Sequence, residues 1–202
     1  MSTAPTDLSE KRDGRRARRD RSRDQAVDAF LDLLEEGVVR PTAQQVAERS
    51  GVSLRSIFRI FDDVETLYTE AAGRQLARSA HLYVQVPATG PLEDRVAQVI
   101  ETYDRLYDEV AAVRRVGLRL APESPSIRGQ LERARSWMVG EIRRVFADEL
   151  DPRPDAGPTA RGLELLLSFE AWDQLVSVQG LDAPQRRAVL QRAVVASLAH
   201  QP

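Results

Sequence analysis

Apolar residues recur three and four positions apart along almost the whole chain, and no segment alternates apolar with polar residues as a half-buried strand does. That 3.6-residue period restricts the fold to packed helices, interrupted where Gly, Pro and Asp break the pattern, with essentially no sheet. The first helix is predicted from Ser22, where Gln25 can complete a capping box, to Glu36, with Gly37 ending it and Ala26, Phe30, Leu33 and Leu34 as its buried stripe. A second box, Thr42 with Gln45, opens a short helix to about Ser50 after Pro41. Ser53 is placed to cap another short helix over 54–60, and Asp62 or Asp63 a longer one that fades between His81 and Pro87. Beyond Gly90 and Pro91 the pattern predicts a helix pair over 92–120, bent near 107–109, then a helix from the Ser124 cap and Pro125 to about Leu150. A proline-rich loop over 151–158 and two last helices over about 159–178 and 183–200 complete an all-α chain of about nine helices.

Composition excludes several functions. The chain is 42% hydrophobic and 30% charged with net charge −2, the balance of a soluble globular protein. Without cysteine it has no disulfide, thiolate zinc site or cysteine nucleophile, and His81 and His200 are its only imidazoles. No Gly-rich phosphate loop, Ser/His/Asp set or metal-ligand spacing occurs, so no catalytic residues, cofactor or metal are expected. The acid pairs Asp62-Asp63 and Asp148-Glu149 read as helix caps and surface. Apolar runs such as Leu165 to Leu167 fall far short of the roughly 20 residues that span a bilayer, so no membrane partner is expected. Arg15-Arg16 is not followed by an apolar export segment, and a cytoplasmic address is expected.

The near-neutral total conceals an asymmetry. Residues 1–61 carry 12 Lys+Arg against 10 Asp+Glu, while the rest carry 17 against 21. Between Ser9 and Arg23, the cations Lys11, Arg12, Arg15, Arg16, Arg18, Arg19, Arg21 and Arg23 face only Glu10, Asp13 and Asp20. Residues 1–20 therefore read as a disordered basic arm, either a solvated tail or a contact to a polyanion whose counterions it displaces.

The spacing of Ala47, Gly51 and Ile57, with Val46 and Val52 between, suits two short helices crossing at a tight turn. Ala47 stays small at the crossing, Gly51 supplies positive φ, and the branched residues fill the wedge. A glycine between apolar stripes also occurs in any helical hairpin, so these positions alone leave both readings open. The flanks extend the pattern: Gly37, Pro41-Thr42, Val46-Ala47, Gly51-Val52-Ser53, Ser56-Ile57-Phe58-Arg59, Phe61, Glu65 and Leu67 stand in order. From about Arg23 to Leu67 the chain thus resembles the TetR family of bacterial transcriptional regulators. The resemblance implies a helix-turn-helix DNA-binding domain over 21–66 and a helical effector-binding and dimerisation domain over 67–202. It implies a homodimeric regulator, usually a repressor, that binds a palindromic operator in double-stranded DNA and is released by a small-molecule effector. Where the family often has tyrosine, then histidine or tyrosine, and later lysine, this chain has Phe58, Ile60 and Val64, losing polar groups that hold phosphates. A flexible basic arm reaching along or into the minor groove would compensate. The alternative is a helical ligand-binding or protein-interaction module that has lost specific DNA binding.

On the reading helix Leu54, Arg55, Ser56, Phe58 and Arg59 lie mostly opposite the Ile57 and Phe61 face, free to enter a major groove. Arg55 is the first candidate for a bidentate guanine contact and Arg59 for a base or a phosphate, while Thr42, Gln45 and Ser53 stand at helix N-termini suited to phosphate oxygens. Each arginine alone could equally be a solvated surface charge. In the larger domain Leu163, Leu166, Leu167 and Leu175 make one apolar face of a helix whose other side carries Leu165, Phe169 and Trp172. A helix apolar on two sides must be sandwiched, so these residues with Val194 and Leu198 are expected in a four-helix dimer interface, burial inside one subunit being the alternative. Tyr103, Tyr107, Arg119, Trp137 and Met138 could line an effector cavity or serve as ordinary core and surface.

Overall fold

In the computed structural model, which describes residues 7–199 and side chains from residue 14 on, all regular structure is helical. The elements are α1 (Asp7–Glu35), α2 (Ala43–Ser50), α3 (Leu54–Ile60), α4 (Val64–Arg78), α5 (Leu92–Leu120), α6 (Pro125–Val145), α7 (Ala147–Leu150), α8 (Ala156–Leu166), α9 (Phe169–Asp173) and α10 (Ala183–Ala199). A 3₁₀ turn over Ser79–Leu82 follows α4, and a π-helical turn over Gln174–Val178 follows α9. None of the helices is long and apolar enough to cross a membrane among the described residues.

Most boundaries follow the expected caps. Gly37 adopts φ 87°, and Val38 N–H reaches Leu33 O at 2.9 Å while Gly37 N–H reaches Leu34 O at 3.0 Å, closing α1 with a Schellman turn. Asp63, the better placed of the two candidate acids, accepts from Thr66 N at 2.7 Å and opens α4. Ser124 accepts from Ile127 N at 3.1 Å with Pro125 in the first turn of α6. Gly180, with φ 67°, precedes the Asp182–Gln185 capping box of α10.

Several boundaries differ from expectation, among them α4, which ends at Arg78 before a 3₁₀ turn, and α8, which begins at Ala156 inside the stretch over 151–158 expected as a loop. Helix α1 starts at Asp7 instead of Ser22, so residues 7–20 are helical and not a disordered arm. Arg, Lys, Glu and Ala there have high helix propensity, and a helix already formed over 22–35 propagates into them without a second nucleation cost. Residues 1–6 of the expected arm, and His200, lie outside the described residues. The expected pair over 92–120 is the single helix α5, since no Gly or Pro between Leu106 and Ala111 interrupts it. Helix α6 ends at Val145, where the fully buried Phe146 leaves helical geometry before α7. The segment over 159–178 divides at Ser168, whose hydroxyl accepts from Ala171 N at 3.1 Å and opens α9.

The chain forms two compact units. One runs to Leu76 and takes in Ala112–Leu120; the other comprises Ala77–Ala111 and the chain from Ala121. The division thus falls within α4 and α5. In the first unit Ala26, Phe30, Leu33 and Leu34 of α1 pack with Val46, Ile57, Phe61, Leu67 and Tyr68 in one core. Arg23 Nε donates to Glu70 Oε2 at 2.6 Å and Arg74 pairs with Asp28 at 2.9 Å, fastening α1 to α4. Tyr68 Oη donates to Val113 O at 3.4 Å, and burial pushes its phenol up to about 12.

The core of the second unit joins α5, α6 and α8–α10. The irregular stretch after the 3₁₀ turn is tied down at both ends: Val86 N–H donates to Glu141 Oε1 at 3.0 Å, and Arg95 donates to Gly90 O at 3.0 Å and Val145 O at 2.7 Å. Leu163, Leu167, Leu175, Val194 and Leu198, expected at a dimer interface, are buried within this unit, and Leu166 is half-buried. The double-sided apolar pattern is met inside one chain, because α8 packs against α6, α9 and α10. Leu165, Val178 and Val189 are instead the large apolar residues exposed on these elements.

Candidate nucleic-acid interface

The site rests on α2, α3 and the turn between them. Thr42 Oγ1 accepts from Gln45 N at 3.2 Å, and Gln45 Oε1 accepts from Thr42 N at 2.9 Å, so the capping box of α2 is complete. Gly51 ends α2 in the left-handed region at φ 70°, and its N–H reaches Ala47 O at 3.0 Å. A Cβ at Gly51 would meet nothing within 4 Å, so the backbone angle and not crowding requires glycine here. Ser53 then accepts from Ser56 N at 3.3 Å and starts α3. Val46, Ala47, Val52, Ile57 and Phe61 are buried behind this turn, as the wedge requires.

With Ile57 and Ile60 turned inward, a seven-residue helix has room for one outward ridge. At 100° per residue Arg55, Phe58 and Arg59 share an arc of about 100° opposite the two isoleucines. All three are exposed, and Phe58 keeps 60% of its surface in solvent, which is unusual for a large apolar side chain. Neither Arg55 nor Arg59 has a hydrogen bond or ion pair among the described residues. The ridge therefore offers two guanidinium forks, uncommitted among the described residues, beside an apolar ring.

The remaining candidates differ in availability. Leu54 and Ser56 are half-buried at the flanks of the ridge, and Ser53 Oγ donates to Ser56 Oγ at 3.0 Å. Thr42 Oγ1 donates to Gln45 Oε1 at 3.0 Å, so the hydroxyls of Thr42 and Ser53 already serve their own helices. Ile60 is core, so its apolar character answers a packing need at a position expected to have lost a phosphate anchor. Arg49 Nη1 donates to Glu36 Oε1 at 2.7 Å, and that guanidinium holds the Glu36 carboxyl below the usual carboxylate range.

The candidate effector residues do not converge. Tyr103, Tyr107 and Met138 are buried together, with Tyr103 Oη donating to Met138 O at 3.2 Å and Tyr107 Oη to Leu167 O at 2.7 Å. Phe169 and Trp172 pack against Tyr107 at centroid separations of 5.5 and 5.9 Å. The void left among them, about 10 Å³, has room for a single water at most. Trp137 sits edge-on to Tyr83 at 5.0 Å, and Arg119 is an exposed residue of the first unit. A cleft of about 350 Å³ lies elsewhere in the second unit, where His81, Val84 and Gln85 face Gln98, Thr102 and Arg105 of α5. Its position follows from the irregular course of 83–91, which has no periodic signal in the sequence. Among the described residues no group of three or more His, Asp or Glu is placed to hold a metal.

No family model and no curated protein matches this chain. Two solved structures do. One is described as a candidate transcriptional regulator from Streptomyces coelicolor A3(2), 24% identical, with TM-score 0.57 over 89% of this chain and 99% of that one. The other is described as a candidate TetR-family transcriptional regulator from Mesorhizobium loti MAFF303099, 19% identical, with TM-score 0.55 over 91% of this chain and 94% of that one. At these identities the likeness is one of fold, and it extends over both units, including the C-terminal two thirds where the sequence holds helices but no family motif. The fold of this chain is thus similar to that of a structure described as TetR-family, and the outward ridge of Arg55, Phe58 and Arg59 stands on α3, the second of the two short helices joined at Gly51.

Proposed function

We propose that this chain is a homodimeric transcriptional regulator, a repressor that holds a palindromic DNA operator through the major groove and leaves it when a small molecule binds. The ridge on α3 carries the proposal: on a capped helix it presents two arginines without a hydrogen bond or ion pair among the described residues and an exposed phenylalanine. Their chemistry matches base edges, since arginine pairs bidentately with guanine and an apolar ring packs on the thymine methyl. Dimerisation is supported by α8 and α10, which pack together and leave the apolar Leu165 and Val189 exposed at 69% and 37%. A two-fold symmetric dimer suits a palindrome, whose successive major grooves are about 34 to 36 Å apart. The cleft of about 350 Å³ is of a size to take an effector. It begins at His81, directly after α4, whose Leu67, Tyr68 and Ala71 are buried in the first unit. An effector that prefers the DNA-incompetent state by about 1–3 kcal/mol would lower operator occupancy roughly 5- to 150-fold.

The test is selection from a pool of random duplexes by the full chain. The regulator reading expects enrichment of a palindrome with half-sites a whole number of helical turns apart. Failure to enrich any sequence overturns it in favour of a helical ligand-binding module.

A further inference from the structure

The extension of α1 changes what its arginines can do. Residues 14–21 are helical and exposed, and side chains recur on faces at 100° per residue. Arg15, Arg16, Arg18 and Arg19 fall within an arc of about 160°. Farther along the helix, the same arc holds Ala26, Phe30, Leu33 and Leu34, the residues that bury α1 in the first unit. Asp20, Asp24, Asp28, Asp32 and Glu35 lie on the opposite side, together with Ala17, Arg21 and the buried Leu31, and Asp24 and Asp28 pair there with Arg74. One face of α1 is therefore apolar where it rests on the helix-turn-helix module and arginine where it runs past it. Arg23 marks the changeover, paired with Glu70 and lying over the Phe61 ring at 5.6 Å.

None of the four arginines has a hydrogen bond or ion pair among the described residues. Placed three and four residues apart, they repel one another and weaken the helix that carries them. A polyanion along this face would turn that cost into attraction. A helix about 10–12 Å across cannot enter a minor groove about 6 Å wide, which excludes the route open to a flexible arm.

The geometry points to a phosphate-docking ledge: the Arg15–Arg16–Arg18–Arg19 face of helical α1 lies against the phosphodiester backbone of DNA flanking the operator, adding affinity without reading bases. The ledge rests on the regulator reading for its duplex partner. It supplies the backbone anchoring that Phe58 and Val64 cannot.

The experiment measures binding of the full chain to its selected duplex at several salt concentrations, with the flanks either extended or trimmed to the half-sites. Replacing the four arginines together by Gln should flatten the slope of log affinity against log salt by about 0.9 for each phosphate that is no longer neutralised. It should also remove the advantage of extended flanks and leave the preferred sequence unchanged. Arg21→Gln, off the face, should do none of these. Ala17→Pro keeps every charge but releases Arg15 and Arg16 from the helix, and should flatten the slope part-way. An unchanged slope in the fourfold variant overturns the ledge. So does a loss in that variant with none in Ala17→Pro, which identifies a flexible arm, or a loss confined to vesicles of phosphatidylserine and phosphatidylcholine, which identifies a membrane surface. If the chain selects no sequence, the regulator reading fails; a fourfold variant that still flattens the slope on random duplex then supports the ledge by itself.

Discussion

Replacing Asp104 by Asn removes one charge from the middle of the second unit and leaves the side chain's shape intact. The carboxylate is 2% exposed and accepts from Trp172 Nε1 at 2.8 Å, from Arg187 Nε at 2.6 Å and from Arg186 Nε. The Arg186 guanidinium also lies over the Trp172 ring, 5.5 Å from its centroid. One carboxylate thus joins α5 to α9 and to the first turn of α10. Without it Arg186, itself buried, keeps a charge with no counter-ion, a loss of about 3–5 kcal/mol for a broken buried pair. Arg187 has a side chain 37% exposed and adds about 0–1 kcal/mol, because water screens its share. Burial pushes the Asp104 carboxyl up, but hydrogen bonds from Arg186, Trp172 and Arg187 outweigh it and hold the group below the usual carboxylate range. A carboxyl depressed in the folded state stabilises above its unfolded pKa of about 3.9 and loses that contribution as pH falls through the folded value. Urea unfolding, followed by Trp172 fluorescence in a Trp137→Phe background at fixed protein concentration, should place Asp104→Asn about 3–5 kcal/mol below its parent at neutral pH. The gap should narrow as pH drops below about 4. A neutral-pH gap under about 1 kcal/mol, the range of an exposed pair, would refute the buried-cluster reasoning.

Three further outcomes follow from named residues. Gly51→Ala meets no clash but must hold φ 70°, so it should cost about 1–2 kcal/mol by denaturation and lower operator affinity, with Gly51→Asn milder on both counts. Phe58→Ala, at an exposed position, should shift stability by no more than about 0.5 kcal/mol yet weaken a thymine preference by about 1 kcal/mol in a duplex competition assay; a large stability loss would mean that Phe58 packs. Leu165→Arg should move the chain from dimer to monomer in sedimentation equilibrium while leaving helical content unchanged in far-ultraviolet dichroism, and a persisting dimer would place the interface elsewhere.

What the sequence disclosed divides along physical lines. Local chemistry was legible: Thr42 with Gln45, Ser53, Asp63, Ser124 before Pro125, and the glycines at 37 and 51 act within a few residues, so the turn and its ridge could be placed from the chain alone. Tertiary partners were not. The two apolar sides of the 159–178 segment correctly required burial, but periodicity cannot tell a neighbouring helix of the same subunit from one of a partner, and Leu163 and Val194 proved to be core. The tyrosines at 103 and 107 have polar tips suited to a ligand, yet whether such groups line a void depends on volumes, and Phe169 and Trp172 fill it. The arm shows a third limit. Net charge along 9–23 was plain, but the segregation of arginine from aspartate has meaning only once the segment is helical.

The most direct measurement of the central claim is the base-preference profile of Arg55→Ala beside that of the unaltered chain, taken on a library of single base-pair changes in the selected duplex. If the α3 ridge reads the major groove, the variant loses about 1–3 kcal/mol of discrimination at one G·C pair in each half-site and keeps its preferences elsewhere. A profile that falls evenly at every position, or does not change, would contradict the assignment of α3 as the reading helix.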